Sequence, residues 1–220
     1  MGDFERVRTH MVDNQLRTND VTDLRILDAM GELPRERFVP SAKRCIAYSD
    51  QDVPLSAGDG QRFLMKPHIF AKLLQLADIG SDDVVLCAGC ATGYSVAVAS
   101  RLAGSVVGIE KDPETVESAS ALLVDLGIEN AAVIAGDPAT GGASEGPYDV
   151  ILVDGAVEVL PQSLTAQLKD GGRLVVVEGR GGAGVAKIYV RSGDVVSGRF
   201  AFNASINLLP GFEKPREFVF

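Results

Sequence analysis

The sequence has no tryptophan, two histidines and three cysteines in 220 residues, and its aromatic content is 6%. So few imidazoles and thiols leave little material for a metal centre or for imidazole catalysis, and none is expected. Cys45, Cys87 and Cys90 are odd in number and too few for a disulfide scaffold, which fits a reducing compartment. Positive charge is also short: 21 Lys and Arg stand against 30 Asp and Glu, for a net charge of -9. No basic run exceeds the pair Lys43-Arg44, so a nucleic acid partner is not expected. Long apolar runs are missing as well. Charges such as Arg101 and Lys111 cut every apolar stretch well before the roughly 20 residues of a membrane span. The opening stretch, MGDFERVRTHMVDNQLR, mixes both charge signs and lacks a signal-peptide core. A cytoplasmic protein with no membrane partner is the expectation.

What is present is an ordinary globular composition, with 46% hydrophobic and 23% charged residues. The length suits one elaborated domain over 1–220. Within it, residues 1–78 carry N-terminal helices and a loop, 79–186 a βαβ core, and 187–220 edge strands. In the first part, Val7, Met11 and Leu16, then Leu24, Ile26, Leu27 and Met30, recur near helical spacing. Tyr48 to Pro67 is rich in turn formers and reads as a long loop, and long loops in compact domains are often functional. A helix over Ile69 to Ala77 follows.

From Asp83 the pattern changes to short apolar runs alternating with helical ones. VVLCA, VVGIE, AAVIAGD, YDVILVD and GRLVVVE give five strands, which implies parallel βαβ units with right-handed crossovers. The helix after Glu110 has Asp112 to cap it, Pro113 for its first turn and Gly127 to stop it. The segments KIYVR, RFAFNASINLL and REFVF, joined by Ser-Gly and Pro-Gly turns, suggest antiparallel strands on the sheet edge.

Chemistry concentrates where these strands end. Leu86-Cys87-Ala88-Gly89-Cys90-Ala91-Thr92-Gly93-Tyr94-Ser95 runs from a strand through a glycine turn into a helix, and Gly89 and Gly93 let backbone approach a ligand closely. Twenty-one residues after Gly89, Glu110 ends the next strand, the place from which an acid accepts both hydroxyls of a ribose. Asp137, after Gly136, and Asp154 end the following two strands. Each feature alone is compatible with a structural role, but their combination indicates a nucleoside site. A pyrophosphate-binding turn usually reads G-x-G-x-x-G, whereas this one reads G-C-A-T-G, so a nucleoside without phosphates is expected. Cys87-Ala88-Gly89-Cys90 also matches the spacing of a redox pair, but Cys87 closes an apolar strand and is expected to be a small buried hydrophobe.

This ordered series resembles the protein-L-isoaspartate O-methyltransferases, which use S-adenosylmethionine (SAM) on the Rossmann-like class I methyltransferase fold. The resemblance begins with Met11-Val12-Asp13-Asn14-Gln15-Leu16, Val21-Thr22-Asp23, Arg25 to Met30, Pro34-Arg35 and Phe38-Val39-Pro40. It continues through Ala47-Tyr48-Ser49-Asp50, Pro54-Leu55 and Gly58-Asp59-Gly60-Gln61 into the glycine turn, and ends at Gly171-Gly172-Arg173-Leu174. It implies an α/β fold with a mostly parallel sheet, helices on both faces, an N-terminal helical extension and C-terminal antiparallel strands. It also implies SAM-dependent carboxyl methyl transfer to isoaspartyl-containing proteins or peptides, as in protein repair. The cofactor residues implied are Gly60, Gly89, Cys90, Ala91, Gly93, Tyr94, Glu110, Lys111, Gly136, Asp137 and Asp154, with Gln61 and Arg62 at the reacting centre.

Three departures from the family pattern stand out. Arg62-Phe63-Leu64-Met65-Lys66-Pro67 replaces the family's Thr-Ile-Ser and proline, so both hydroxyls that line the site are absent and Arg62 or Lys66 is left to meet a carboxylate. In the glycine turn, Cys87 replaces an acid and Ala91 a glycine. Asp154-Gly155-Ala156 stands where a threonine and alanines are usual. Two other readings therefore accompany the first: a related methyltransferase with another acceptor, and a non-catalytic nucleoside-binding descendant.

Overall fold

The computed structural model describes residues 2–57 and 61–214. The N-terminal third is helical, as the periodicity predicts: α1 spans Gly2–Met11, α2 spans Leu24–Glu32 and α3 spans Pro67–Ala77, with short turns of tighter or wider helix between them. Each has a local cause. Asp23 caps α2 by accepting a hydrogen bond from the Arg25 amide at 2.9 Å. Pro67 opens α3, where its missing N–H costs nothing. The stretch read as a loop contains a two-stranded hairpin, β1 (Val53–Pro54) against β2 (Phe63–Leu64), with Val53 opposite Leu64. Two residues per strand are too few to leave an alternating signature, and burial of Val53 and Leu64 fixes the pair.

The second part is one seven-stranded sheet of order β5-β4-β3-β6-β7-β8-β9. Its strands are β3 (Val84–Ala88), β4 (Ser105–Glu110), β5 (Ala131–Ala135), β6 (Tyr148–Val157), β7 (Leu168–Glu178), β8 (Val185–Ser192) and β9 (Val195–Asn203). The first five are mutually parallel, and β8 and β9 add antiparallel pairings on the β7 side. Helices α4 (Tyr94–Ala99), α5 (Pro113–Asp125) and α6 (Gln162–Thr165) make the crossovers. Asp112 caps α5 as expected, accepting from the Thr115 amide at 3.0 Å.

Alternate residues of the central strands feed two cores. Val85, Cys87, Val150, Leu152 and Val175 pack under α1 to α5. Leu86, Ala88, Ile151, Val153 and Val176 face the other way and meet Leu164 of α6 together with Leu209 and Phe212. Helices therefore lie on both faces, very unequally, and the thin face is completed by irregular chain. The expected strand RFAFNASINLL ends at Asn203; its remainder crosses to the end of β6, where Ala156 bonds Asn207 and Leu209 through its N–H and C=O at 3.0 and 2.8 Å. The expected strand REFVF lies outside the described residues.

Candidate functional site

Register alone assembles the site. Ala88 lies opposite Ile109 of β4 and Val153 of β6, so Gly89, Glu110 and Asp154 emerge together at the carboxyl end of the sheet. The chain order reverses between these strands, and such a switch point opens the crevice of a parallel sheet. The turn after β3 is left-handed at Gly89 (φ 79°), Ala91 (φ 46°) and Gly93 (φ 87°). Its amides point inward: those of Gly89 and Cys90 bond the Ile109 carbonyl, and that of Ala91 bonds Glu110 Oε2 at 2.8 Å.

Glu110 is 3% exposed, and a carboxylate so placed needs partners. It has three: the Ala91 amide, the Lys111 amide at 2.9 Å, and the Arg62 guanidinium, which forks across both carboxylate oxygens at 3.0 and 3.1 Å. The same guanidinium donates through Nη2 to the Gly89 carbonyl. Arg62 thus closes over the ends of two neighbouring strands.

Outside this clasp lies an open groove of about 640 Å³, walled by Ser56, Glu110, Lys111, Asp137 and Pro210 among others. Gly136 anchors its far side through its amide on the Glu110 carbonyl at 2.9 Å, and Asp137 turns one carboxylate oxygen to the Ala139 amide at 3.0 Å. The groove matches a nucleoside in size and polarity: concave, with a few convergent polar groups.

Of the other expected residues, Gln61 lines a small cavity with Asp154 and bonds the Ser56 carbonyl at 2.8 Å. Gly60 lies outside the described residues. Cys90 and Tyr94 sit differently from a cofactor contact. The Cys90 thiol is turned toward Gly108, so that only its backbone edges the turn, and Tyr94 packs in the core against Phe38, Phe70 and Arg35. Burial pushes both Cys87 and Cys90 well above the usual thiol range, which speaks against a redox pair.

Three participants are given no site role by the sequence, although Arg35 and Ser95 fall inside its motifs. Leu209 sits on the glycine turn, where a Cβ at Gly89 would come within 2.8 Å of it and one at Gly155 equally close. Arg35, fully buried, bonds the carbonyls of Ala47 and Met65 at 2.7 and 2.6 Å, yet its Nη1 has no partner. Ser95 Oγ is likewise buried and unpartnered.

The residues fit a SAM-type nucleoside. Glu110 presents a pinned carboxylate for a ribose, and the groove beside it is open. The far ends of Arg62 and Leu209 stand over the turn, and of the two Arg62, on a long flexible stem, is the one a ligand can displace. The profile of the protein-L-isoaspartate(D-aspartate) O-methyltransferase family matches residues 6–202. The chain belongs to this family. It is 40% identical over 176 residues to the protein-L-isoaspartate O-methyltransferase of Koribacter versatilis, covering 80% of this chain and 78% of that one. It is 38% identical over 194 residues to the enzyme of the same name from Roseiflexus castenholzii, covering 88% and 87%. A solved protein-L-isoaspartate O-methyltransferase superposes with a TM-score of 0.79 at 27% identity over 92% of this chain and 66% of that chain. A Plasmodium falciparum structure described as such a methyltransferase in complex with S-adenosyl-L-homocysteine shares the fold, with a TM-score of 0.75 at 19% identity. This member of the family is thus a SAM-dependent O-methyltransferase of the class I fold, built with an arginine where hydroxyls are usual.

Proposed function

We propose that the protein methylates the free carboxylate of isoaspartyl residues in proteins or peptides, and that Arg62 takes the role of the missing hydroxyls. The observation that carries this reading is the position of Arg62: its guanidinium joins Glu110 to Gly89, at the boundary between the nucleoside groove and the inner cavity lined by Gln61, Phe63 and Asp154. When bound, SAM supplies an electrophilic methyl group to an acceptor oxygen and departs as a neutral thioether. A carboxylate acceptor is ionised at pH 7, so no residue has to remove a proton. What the chain must do is orient the acceptor and exclude water, effects that reach roughly 7–11 kcal/mol in favourable cases.

Arg62 suits that work. When a ribose takes over Glu110, the guanidinium loses its carboxylate partner and becomes free to fork onto the acceptor's carboxylate, a contact worth about 1.5–3 kcal/mol. Phe63 and Leu64 flank it with apolar surface, and Leu64 is buried. A cytoplasmic setting belongs to the same reading and is supported by the free thiols of Cys45, Cys87 and Cys90. No helix among the described residues is long and apolar enough to cross a membrane.

The test is transfer of a radiolabelled methyl group from SAM to matched isoaspartyl and aspartyl peptides. Labelling of the isoaspartyl peptide alone is expected. Labelling of neither, with SAM bound, would assign the protein another acceptor.

A further inference from the structure

One half-buried acid, Asp154, has so far been given no specific task. Asp154 lies within β6, which runs on to Val157, two residues after Leu152, the register partner of Cys87 on β3, so Asp154 and Cys87 share one face of the sheet on adjacent strands. The resemblance drawn from the sequence implies an acid at position 87; this chain has a thiol there, and the acid on that face is Asp154. The acid lies between two small cavities. Gln61, Arg62, Phe63, Met65 and Leu209 line one, and Leu64, Met65, Phe70, Tyr94 and Ser95 line the other.

Among the described residues, none supplies Asp154 with an ion pair. Arg62 is engaged by Glu110 and the Gly89 carbonyl. Arg35 is held by two backbone carbonyls and the Tyr94 ring, with Nη1 left over, and it forms no ion pair with the acid. The Ser95 hydroxyl faces the acid, yet its oxygen, buried, has no partner in bonding geometry. Burial accordingly holds the Asp154 carboxyl up at about 6. A half-buried carboxylate beside an unsatisfied hydroxyl, on a small cavity that meets the nucleoside groove at Arg62, is placed to receive a positively charged group.

Resting on the assignment of SAM as methyl donor, we propose that Asp154 holds the α-ammonium of the cofactor's amino-acid end, taking from β6 the position that an acid at residue 87 would serve from β3. The groove then reads from one end to the other: Asp137 and Lys111 at the outer wall, Glu110 at the sugar, Asp154 at the amino acid.

The experiment compares two nucleosides that differ in that end. S-adenosylhomocysteine carries the ammonium, and 5′-methylthioadenosine lacks it. Titration calorimetry at pH 7.5 with the wild type, Asp154→Asn and the double variant Cys87→Asp/Asp154→Asn should show S-adenosylhomocysteine weakened about tenfold or more by Asp154→Asn. Methylthioadenosine should change less than about twofold. The acid restored at position 87 should recover part of the loss. Because Asp154→Asn removes a partly buried charge, the variant should fold, and its melting curve verifies this. Equal weakening of both nucleosides, or unchanged binding of both, would overturn the assignment. If the folded wild type bound neither, the methyl-donor reading itself would fall and take this one with it.

Discussion

Arg62 Nη1 stands 3.0 Å from Glu110 Oε2, joining residues 48 apart in the chain across the site where a ribose would bind. Both are largely shielded, with side-chain exposures of 16% and 4%, so the pair is stronger than a surface ion pair. It is also a competitor: any ligand that takes the Glu110 carboxylate must displace it.

Arg62→Ala should therefore separate two effects. Affinity for S-adenosylhomocysteine should rise about threefold to tenfold, since the ligand no longer displaces a partner. The KM for an isoaspartyl peptide should rise about tenfold, from loss of one charge-assisted contact. Calorimetry and steady-state kinetics read the two separately. An unchanged KM would remove Arg62 from the acceptor site.

Ala91 occupies a left-handed conformation that costs a residue with a Cβ about 1–2 kcal/mol. Ala97, equally inaccessible, lies inside α4. Ala91→Gly and Ala97→Gly delete the same methyl but alter backbone energy in opposite directions, since glycine in a helix costs roughly 0.5–1 kcal/mol. The second variant should melt about 4–8 °C below the first.

Cys87 and Cys90 are buried and their thiols are held protonated, whereas Cys45 is exposed. Brief alkylation of the native protein at pH 7.5 should modify Cys45 alone, counted by intact mass. All three should react after denaturation.

Asp154 makes stability depend on pH. Its carboxyl titrates at about 6 in the folded chain against an ordinary value of 3.8, so the folded state holds its proton longer. Stability from this group is complete below 3.8, falls as pH rises between 3.8 and about 6, and is flat above. Arg35 and Arg62 oppose the effect, and Glu110 adds to it. Cys87 and Cys90, which face the same acid, stay neutral and contribute no charge there. Asp154→Asn should raise the melting temperature at pH 7.5 and change it little at pH 4.

The carboxyl edge was legible because strands announce their own ends. Apolar runs stop at Gly89 and Glu110, and parallel register leaves those ends side by side; the expected end at Asp154 is not one, since β6 runs on to Val157. Which way a side chain turns beyond the turn was not legible. All six residues of α4 are buried, so no polar face distinguishes inward from outward for Tyr94 and Ser95. Arg35 and Arg37 look alike in Pro34-Arg35-Glu36-Arg37, yet one is enclosed and the other meets Asp125 on the surface. That difference is set by contacts from Ala47 and Met65, far along the chain. Leu209 has no periodic neighbours at all, and only the Ala156 backbone shows where it docks.

The lopsided cover of the sheet has a consequence for biosynthesis. Leu86, Ala88, Ile151 and Val153 form a greasy wall that α6 covers only in part, through Leu164, until Leu209 and Phe212 arrive to complete the roof. On the ribosome, that wall waits for the last part of the described chain, and during the delay it is a natural target for chaperones. The crevice takes part of its lining, Leu209, Pro210 and Gly211, from the same late stretch, so a nascent chain that has yet to extrude it carries the whole parallel sheet and still lacks a finished site.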